Sequence, residues 1–261
     1  MAGSVVPSST TSGISAVRLR ASKRSAKAKP DIHDAVLGSL FAELARIAEM
    51  SAIERQLRDS GFRAVAGTDE VGRGCLAGPV VAACVILDCD PSILGVNDSK
   101  QVDADDRVDA LNLILRCARA VAIGVVESRT IDSINILRAS KLAMRHAVED
   151  LSVRPDVLLL DAVTIESLDM PQVPLIGGDR RSISIAAASI VAKVYRDLLM
   201  ESYHARYPVY DFIHNRGYAT ESHQAALKVY GPSPIHRMSF EGVEEPAMLF
   251  GSNEEDGGST R

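Results

Sequence analysis

An α/β domain, with a mixed sheet flanked by helices, is the fold this sequence predicts, and three observations carry that prediction. Apolar runs of strand length at 80–87, 157–160 and 173–176 alternate with longer segments of helical apolar spacing. The two kinds of segment mix throughout the chain without an internal repeat. Asp69, after a strand-like segment over 64–68, and Asp161 and Asp179 each fall at or just beyond the end of a predicted strand, the edge where open α/β sheets place ligands.

Each element has its own signal. Residues 1–33 are rich in Ser, Ala and basic side chains and lack a sustained apolar period, so they read as a disordered basic tail. Over 34–60, Leu37, Leu40, Phe41, Leu44, Ile47 and Ala48 recur at helical spacing, and Gly61 supplies the stop. A strand over 64–68 delivers Asp69; after the turn residues Ala77-Gly78-Pro79, the run 80–87 forms its antiparallel neighbour. A helix over 104–119 and a strand over 121–126 follow. Ser133 is placed to cap a second long helix in which Leu137, Met144, Val148 and Leu151 share one face, ended by Arg154-Pro155. The run 157–160 leads directly into Asp161, and 173–176 into Gly177-Gly178-Asp179. A last long helix spans 184–203 with Val191, Val194, Tyr195 and Leu198 at core spacing. Its start, Ala186-Ala187-Ala188-Ser189, is small enough to lie close on a sheet. The organisation expected is thus a folded core over 34–211, a C-terminal helical element over 212–249, and a disordered acidic tail over 250–261 carrying Glu254, Glu255 and Asp256.

The composition narrows the function. A chain of 261 residues that is 46% hydrophobic has material for a sizeable core without covalent staples. Cys75, Cys84, Cys89 and Cys117 lack the spacing of a zinc site or a disulfide framework and read as reduced thiols of a cytoplasmic protein. No apolar run is long enough to cross a bilayer, and the first residues do not have the shape of a secretory signal. A net charge of −5 argues against coating nucleic acid by bulk electrostatics, yet is compatible with an enzyme that engages a few phosphates. The cluster Arg18, Arg20, Lys23, Arg24, Lys27 and Lys29 fits either a non-specific phosphate contact or a solubilising extension.

The chemistry concentrates in Asp69-Glu70-Val71-Gly72-Arg73-Gly74. Adjacent carboxylates repel a polyanion unless a divalent cation lies between, whereas glycines let a ligand approach the main chain. Joined in one run, they point to metal-assisted chemistry on a phosphodiester. Taken separately, an Asp-Glu pair is commonly solvated surface and Gly-x-Gly commonly a turn.

That run continues as Cys75-Leu76-Ala77-Gly78-Pro79-Val80-Val81. Together with Asn97-Asp98-Ser99-Lys100, Leu160-Asp161, Gly178-Asp179, Ala187-Ala188-Ser189-Ile190-Val191-Ala192-Lys193-Val194-Tyr195-Arg196-Asp197, Arg216-Gly217-Tyr218-Ala219-Thr220 and Ile235-His236-Arg237-Met238-Ser239-Phe240, it resembles the bacterial ribonuclease HII family in type and order, over about residues 53–243. The resemblance implies a ribonuclease H-like fold with a short helical C-terminal extension. It implies an endonuclease that hydrolyses the RNA strand of RNA/DNA hybrids and cuts 5′ of single ribonucleotides embedded in duplex DNA, leaving 3′-hydroxyl and 5′-phosphate ends. Asp69, Glu70, Asp161 and Asp179 become the catalytic, metal-holding carboxylates of a two-metal site for Mg²⁺ or Mn²⁺, whose hard oxygen donors suit those ions. Gly72, Arg73, Gly74, Lys100 and Tyr218 become substrate contacts, with Tyr218 stacking on the sugar after the ribonucleotide, and the protein is expected to be a monomer.

Several positions have a second reading. Neighbours on a regular strand face opposite ways, so Asp69 and Glu70 share a site only if the strand bends or if Glu70 offers its main-chain carbonyl. Asp161 fits a turn cap, Asp179 a loop acid, and Tyr218 a half-buried core aromatic. Lys193 and Arg196 fit phosphate contacts, while Lys193 and Asp197 also fit an i,i+4 pair. His214, His223 and His236 read as structural hydrogen-bonding groups. Where the family often has His-Lys-Gly-Tyr, this chain has Asn215-Arg216-Gly217-Tyr218, which keeps the charge and drops the ring. Proofreading-type exonucleases, strand-transfer enzymes and a catalytically dead duplex binder are the competing classes. The adjacency of Asp69 and Glu70 disfavours the exonucleases, and the intact quartet disfavours the dead binder.

Deleting residues 1–33 is expected to leave the melting temperature unchanged while weakening binding to every duplex at low salt, an effect that fades as ions compete. Binding isotherms across a salt series check this; a loss confined to ribonucleotide-containing duplex and persisting at high salt would contradict it.

Overall fold

The computed structural model describes residues 32–88 and 104–244. Both tails, Cys89 and the Asn97-Asp98-Ser99-Lys100 motif lie outside the described residues. Contacts divide the chain at Gly38; of the unit before it, only the first turns of helix α1 (Ile32–Met50) are described.

Five strands form one mixed sheet in the order β3-β2-β1-β4-β5. Strand β2 (Val80–Leu87) runs antiparallel to both β1 (Val65–Val71) and β3 (Ala118–Val126), while β4 (Val157–Asp161) is parallel to β1 and β5 (Gln172–Leu175) parallel to β4. The unbroken apolar character of β2 follows from its burial on both faces. On one face Ala64, Ala66, Ala82, Cys84, Leu158 and Leu160 meet Ala139, Ala143 and Met144 of α5 (Ile136–Glu149). On the other, Val81, Ala83 and Val85 meet α3 (Ala104–Cys117) and the Ile183–Ala192 stretch of α6 (Ile183–Arg206). Short helices α2 (Ala52–Asp59) and α4 (Ser128–Ile134) complete these layers.

Two glycines set how closely the layers approach. A Cβ on Gly67 would lie 2.3 Å from the Ser184 carbonyl carbon, and one on Gly124 would lie 1.9 Å from the Ala143 oxygen. The small-residue start of α6 therefore does lie tightly on β1, as its sequence predicts.

The helical faces correct several expectations. The predicted single helix over 34–60 is two, broken at Ser51, whose hydroxyl donates to the Ile47 carbonyl at 2.7 Å. Of its apolar stripe only Ile47 is buried; Leu37, Leu40 and Leu44 are exposed, and Phe41 is 66% exposed. Helical spacing reports that a stripe exists, not that anything covers it. Ser133 does not cap α5. Asn135, at φ 70°, does so through its Oδ1, which accepts from the Arg138 amide, and Leu137 is exposed. In α6, Val191 is buried, but Tyr195 and Leu198 face outward.

Beyond α6, a short 3-10 turn at Pro208–Tyr210, α7 (Phe212–Asn215) and α8 (Glu221–Tyr230) pack Tyr210, Phe212 and Leu227 against Leu76, Ala77 and Met200. This C-terminal element thus sits on the segment that joins β1 to β2.

Gly124→Ala is expected to lose about 1–3 kcal/mol or more in urea unfolding, because the new methyl meets main chain that cannot yield. Gly38→Ala, with nothing within 4 Å on an exposed helix, should instead be neutral or gain about 0.5–1 kcal/mol. Equal responses would contradict the packing described.

Candidate active site

The strand register brings two of the predicted acids together. Thr68 pairs with Leu160 on parallel strands, so the next residues, Asp69 and Asp161, lie side by side at the carboxyl end of the sheet. Asp161 Oδ1 accepts the Gly178 amide at 2.9 Å, which ties the turn carrying Asp179 to the same edge. The bond reaches a turn seventeen residues on, so Asp161 does not cap the turn that directly follows it, as the residue type alone allowed. Ala162 follows at φ 54°, a left-handed conformation that an alanine adopts only under constraint.

Glu70 reaches this edge differently. The β1–β2 ladder runs without a bulge to the pair Val71–Val81, so Asp69 and Glu70 are consecutive residues of a regularly paired strand. The charge of Glu70 nevertheless acts on Asp69, and that of Asp161 acts on both. Burial pushes the Asp69 carboxyl up to about 7, with the charge of Glu70 and then of Asp161 adding to it, against a hydrogen bond from Ser189. Burial also raises Glu70, offset by Arg73 and reinforced by Asp161. Among the described residues no three His, Cys, Asp or Glu side chains stand at the spacing of a finished metal cage. The acids form a field of excess negative charge whose donors are all carboxylate oxygens.

The glycine loop is built around two arginines that are fully buried. Gly72, at φ 91°, turns the chain out of β1; a Cβ there would fall 2.2 Å from Arg196 Nε. The Arg237 guanidinium donates to the carbonyls of Gly72 (2.7 Å), Arg73 (2.9 Å) and Gly78 (3.0 and 2.9 Å). Arg196 donates to Pro79 (3.0 Å), Ala77 (3.1 Å) and Arg216 (2.8 Å). In a planar trans peptide the carbonyl and the following N–H point in opposite directions. Holding the Gly72 and Arg73 carbonyls inward therefore aims the Arg73 and Gly74 amides outward. Burial lowers Arg237 to about 10, so it stays charged at neutral pH.

Main-chain hydrogen bonds join three distant segments here. Leu76 N–H donates to the Gly217 carbonyl, Arg237 N–H to the Leu76 carbonyl and Gly78 N–H to the Ile235 carbonyl, each at 2.8 Å. Tyr218 consequently stands beside the loop, near Cys75, with its side chain 44% exposed rather than in the core.

Other predicted residues divide. Arg73 pairs with Glu70 at 2.9 Å and is half exposed. Arg196 is no phosphate contact, since it is buried and engaged with carbonyls. Lys193 pairs with Asp197 at 2.5 Å, the bland i,i+4 reading. Arg216, at φ 50°, donates to the Asp197 carbonyl and Glu201, so its charge anchors the turn to α6. Lys100 lies outside the described residues. Sequence reasoning assigned no role to Arg237, although the motif containing it had been singled out.

A family model described as Ribonuclease HII matches residues 66–243. Among curated proteins the chain is similar to Ribonuclease HII of Lactobacillus delbrueckii subsp. bulgaricus, 56% identical over 185 residues, covering 71% of this chain and 72% of that protein. Among solved structures it is similar to the ribonuclease H2 from Pyrococcus horikoshii OT3, at 25% identity and a TM-score of 0.58, covering 69% of this chain and 94% of the other. It is similar in fold to Bst-RNase HIII in complex with Mn²⁺, at 20% identity and a TM-score of 0.57, covering 70% and 68%.

The raised Asp69 group has a signed consequence for stability. Its folded value near 7 lies above an unfolded value near 3.8, so the native state holds the proton more tightly between them. That contribution is complete below the unfolded value and disappears as pH rises through about 7. The lowered His223 and His236 act oppositely over an overlapping range, so only a difference is informative. Without metal, the stability of Asp69→Asn relative to wild type is expected to improve by roughly 2–3 kcal/mol from pH 5 to pH 8, at ~1.4 kcal/mol per unit. Parallel pH profiles in chemical denaturation would show that Asp69 is not perturbed.

Proposed function

The chain belongs to the ribonuclease HII family, and from that premise we propose that it hydrolyses the RNA strand of RNA/DNA hybrids and cuts 5′ of a single ribonucleotide within duplex DNA. The observation that carries this reading is the junction of two unlike surfaces at one sheet edge: the carboxylates of Asp69, Glu70, Asp161 and Asp179, and the outward amides of the Gly72-Arg73-Gly74 loop. Carboxylates alone repel a phosphodiester, and amides alone bind one without cutting it.

Divalent ions suit the acid side. The donors are hard oxygens, and the elevated Asp69 and Glu70 carboxyls mark charge that a cation would relieve. The similarity in fold to an RNase HIII solved with Mn²⁺ points the same way. Asp69, Glu70, Asp161 and Asp179 would hold Mg²⁺ or Mn²⁺, and a two-ion site supplies an activated water and stabilises the departing 3′-oxygen, leaving 3′-hydroxyl and 5′-phosphate ends.

The protein's own groups do the recognition. The Arg73 and Gly74 amides present donors to the 2′-hydroxyl, the group that distinguishes RNA from DNA at one nucleotide. Arg73, held by Glu70 before substrate arrives, exchanges that partner for a phosphate, which strengthens the acids' demand for cations. The exposed Tyr218 ring offers a stacking face for the sugar that follows.

Incubation of purified protein with duplexes carrying no, one or many ribonucleotides is expected to give cleavage of the last two in Mg²⁺ or Mn²⁺, at the 5′ side of the single ribonucleotide, and none in EDTA. Cutting of the all-DNA duplex at a similar rate, or cleavage indifferent to chelation, would overturn the reading.

A further inference from the structure

His223 and His236 form a buried pair that neither the acids nor the glycine loop uses. Their Nε2 atoms are 3.0 Å apart. His236 Nδ1 lies 2.8 Å from the Ser233 amide and 2.8 Å from the Ser233 hydroxyl, and His223 Nδ1 lies 2.8 Å from the Tyr218 carbonyl. Both rings pack on Tyr210 and Phe212, with the Tyr210 and His236 centroids 4.7 Å apart and the Phe212 and His223 rings edge to face at 5.4 Å.

The ends of this chain admit one arrangement of protons. An amide can only donate, so His236 Nδ1 accepts and its hydrogen sits on Nε2. That N–H donates to His223 Nε2, which places the His223 hydrogen on Nδ1, facing a carbonyl that can only accept. Every atom has a fixed role, and a proton added to either ring would set two donors against each other.

The chain ends on the residue proposed to read the junction. The Tyr218 carbonyl accepts from His223 and from the Thr220 amide (2.8 Å), and the Tyr218 amide donates to the Asn215 carbonyl (2.8 Å). Both flanking peptides are thus fixed while the ring stays exposed. At its other end His236 forms an isolated β-bridge with Ala77, in the segment held by Arg196 and Arg237. The pair therefore spans from the glycine loop's continuation to the tyrosine.

We propose that His223 and His236 are positioning residues for substrate selection: the proton-ordered pair fixes the Tyr218 main chain relative to the glycine loop, and so sets the preference for a single embedded ribonucleotide over a long hybrid. This rests on the reading of Tyr218 as a stacking residue. His223 touches no substrate; it acts through the carbonyl of Tyr218.

A double-mutant cycle on the full chain tests it, with kcat and KM measured on a single-ribonucleotide duplex and on an RNA/DNA hybrid, per folded molecule, below the melting transition. Tyr218→Ala is expected to raise KM at least tenfold for the single ribonucleotide and much less for the hybrid. His223→Leu should reproduce most of that selective loss, and His223→Asn, which restores a donor toward the Tyr218 carbonyl, should recover part of it. In the Tyr218→Ala background, His223→Leu should add less than threefold. If His223→Leu does not fold, His236→Phe, which removes the donor to His223 Nε2, takes its place with the same expectation. Equal losses on both substrates, or independent multiplication of the two effects, would overturn the positioning role. No selective effect of Tyr218→Ala would instead remove the stacking premise, and no cleavage by wild type the proposed function itself.

Discussion

Two buried guanidinium groups satisfied by main-chain carbonyls are the constraint on which the rest of the site depends. A charge buried without partners costs several kcal/mol, and each hydrogen bond to a charged group returns about 1.5–3 kcal/mol, so Arg196 and Arg237 are stable only while the carbonyls stay around them. Those carbonyls belong to Gly72, Arg73, Ala77, Gly78, Pro79 and Arg216. The planar fork of each arginine holds several peptides in one fixed geometry, which the three rotatable donors of an ammonium do not impose. Gly72 has to lack a side chain because the space of its Cβ is filled by Arg196, and its positive φ gives the loop its exit from β1. The same clasp draws in the C-terminal element, since Arg237 arrives from beyond α8 and the Arg196 fork also holds the turn at Arg216.

Electrostatics divides the site into two halves with opposite needs. The acid half carries more negative charge than its buried surroundings accommodate, which is why Asp69 is driven towards its neutral form. The loop half is main chain turned outward over buried positive charge, with Arg73 linking the halves through Glu70. On the proposed reading neither half works alone: cations resolve the first, and a ribose held against the second brings the phosphodiester to them. The sheet supplies the meeting point, because β1 and β4 are parallel and in register up to Thr68 and Leu160, the residues before Asp69 and Asp161, while β1 and β2 are antiparallel and joined by the clasped segment.

How much of this was legible in the sequence depended on whether a feature leaves a local signature. All five strands and the helices on both faces were readable, because burial on one or two faces writes a period into the residues. The acid quartet came from the family resemblance, and the structure brings Asp69, Asp161 and the turn carrying Asp179 to one sheet edge. The exposure of the α1 stripe was not legible, as apolar spacing in Leu37, Leu40, Phe41 and Leu44 says nothing of a partner. The cap of α5 was misplaced because Asn135 acts from a left-handed conformation that residue type only permits. Arg196 was mistaken for a phosphate contact and Arg237 went unassigned, while His223 and His236 were read as structural hydrogen-bonding groups without their pairing to each other. A buried cation held by carbonyls, or a neutral imidazole held by a neighbour, looks in sequence like any surface Arg or His.

The central claim, that buried arginines aim the loop amides at a ribose hydroxyl, is tested most directly by how Arg237→Lys affects discrimination between one ribonucleotide and its 2′-deoxy counterpart. Binding of the two duplexes in Ca²⁺, at a temperature where circular dichroism shows the variant folded, isolates recognition from chemistry. The account predicts that wild type prefers the ribonucleotide and that Arg237→Lys loses at least tenfold of that preference, while affinity for the deoxy duplex changes little. A folded Arg237→Lys protein that discriminates as well as wild type would contradict it.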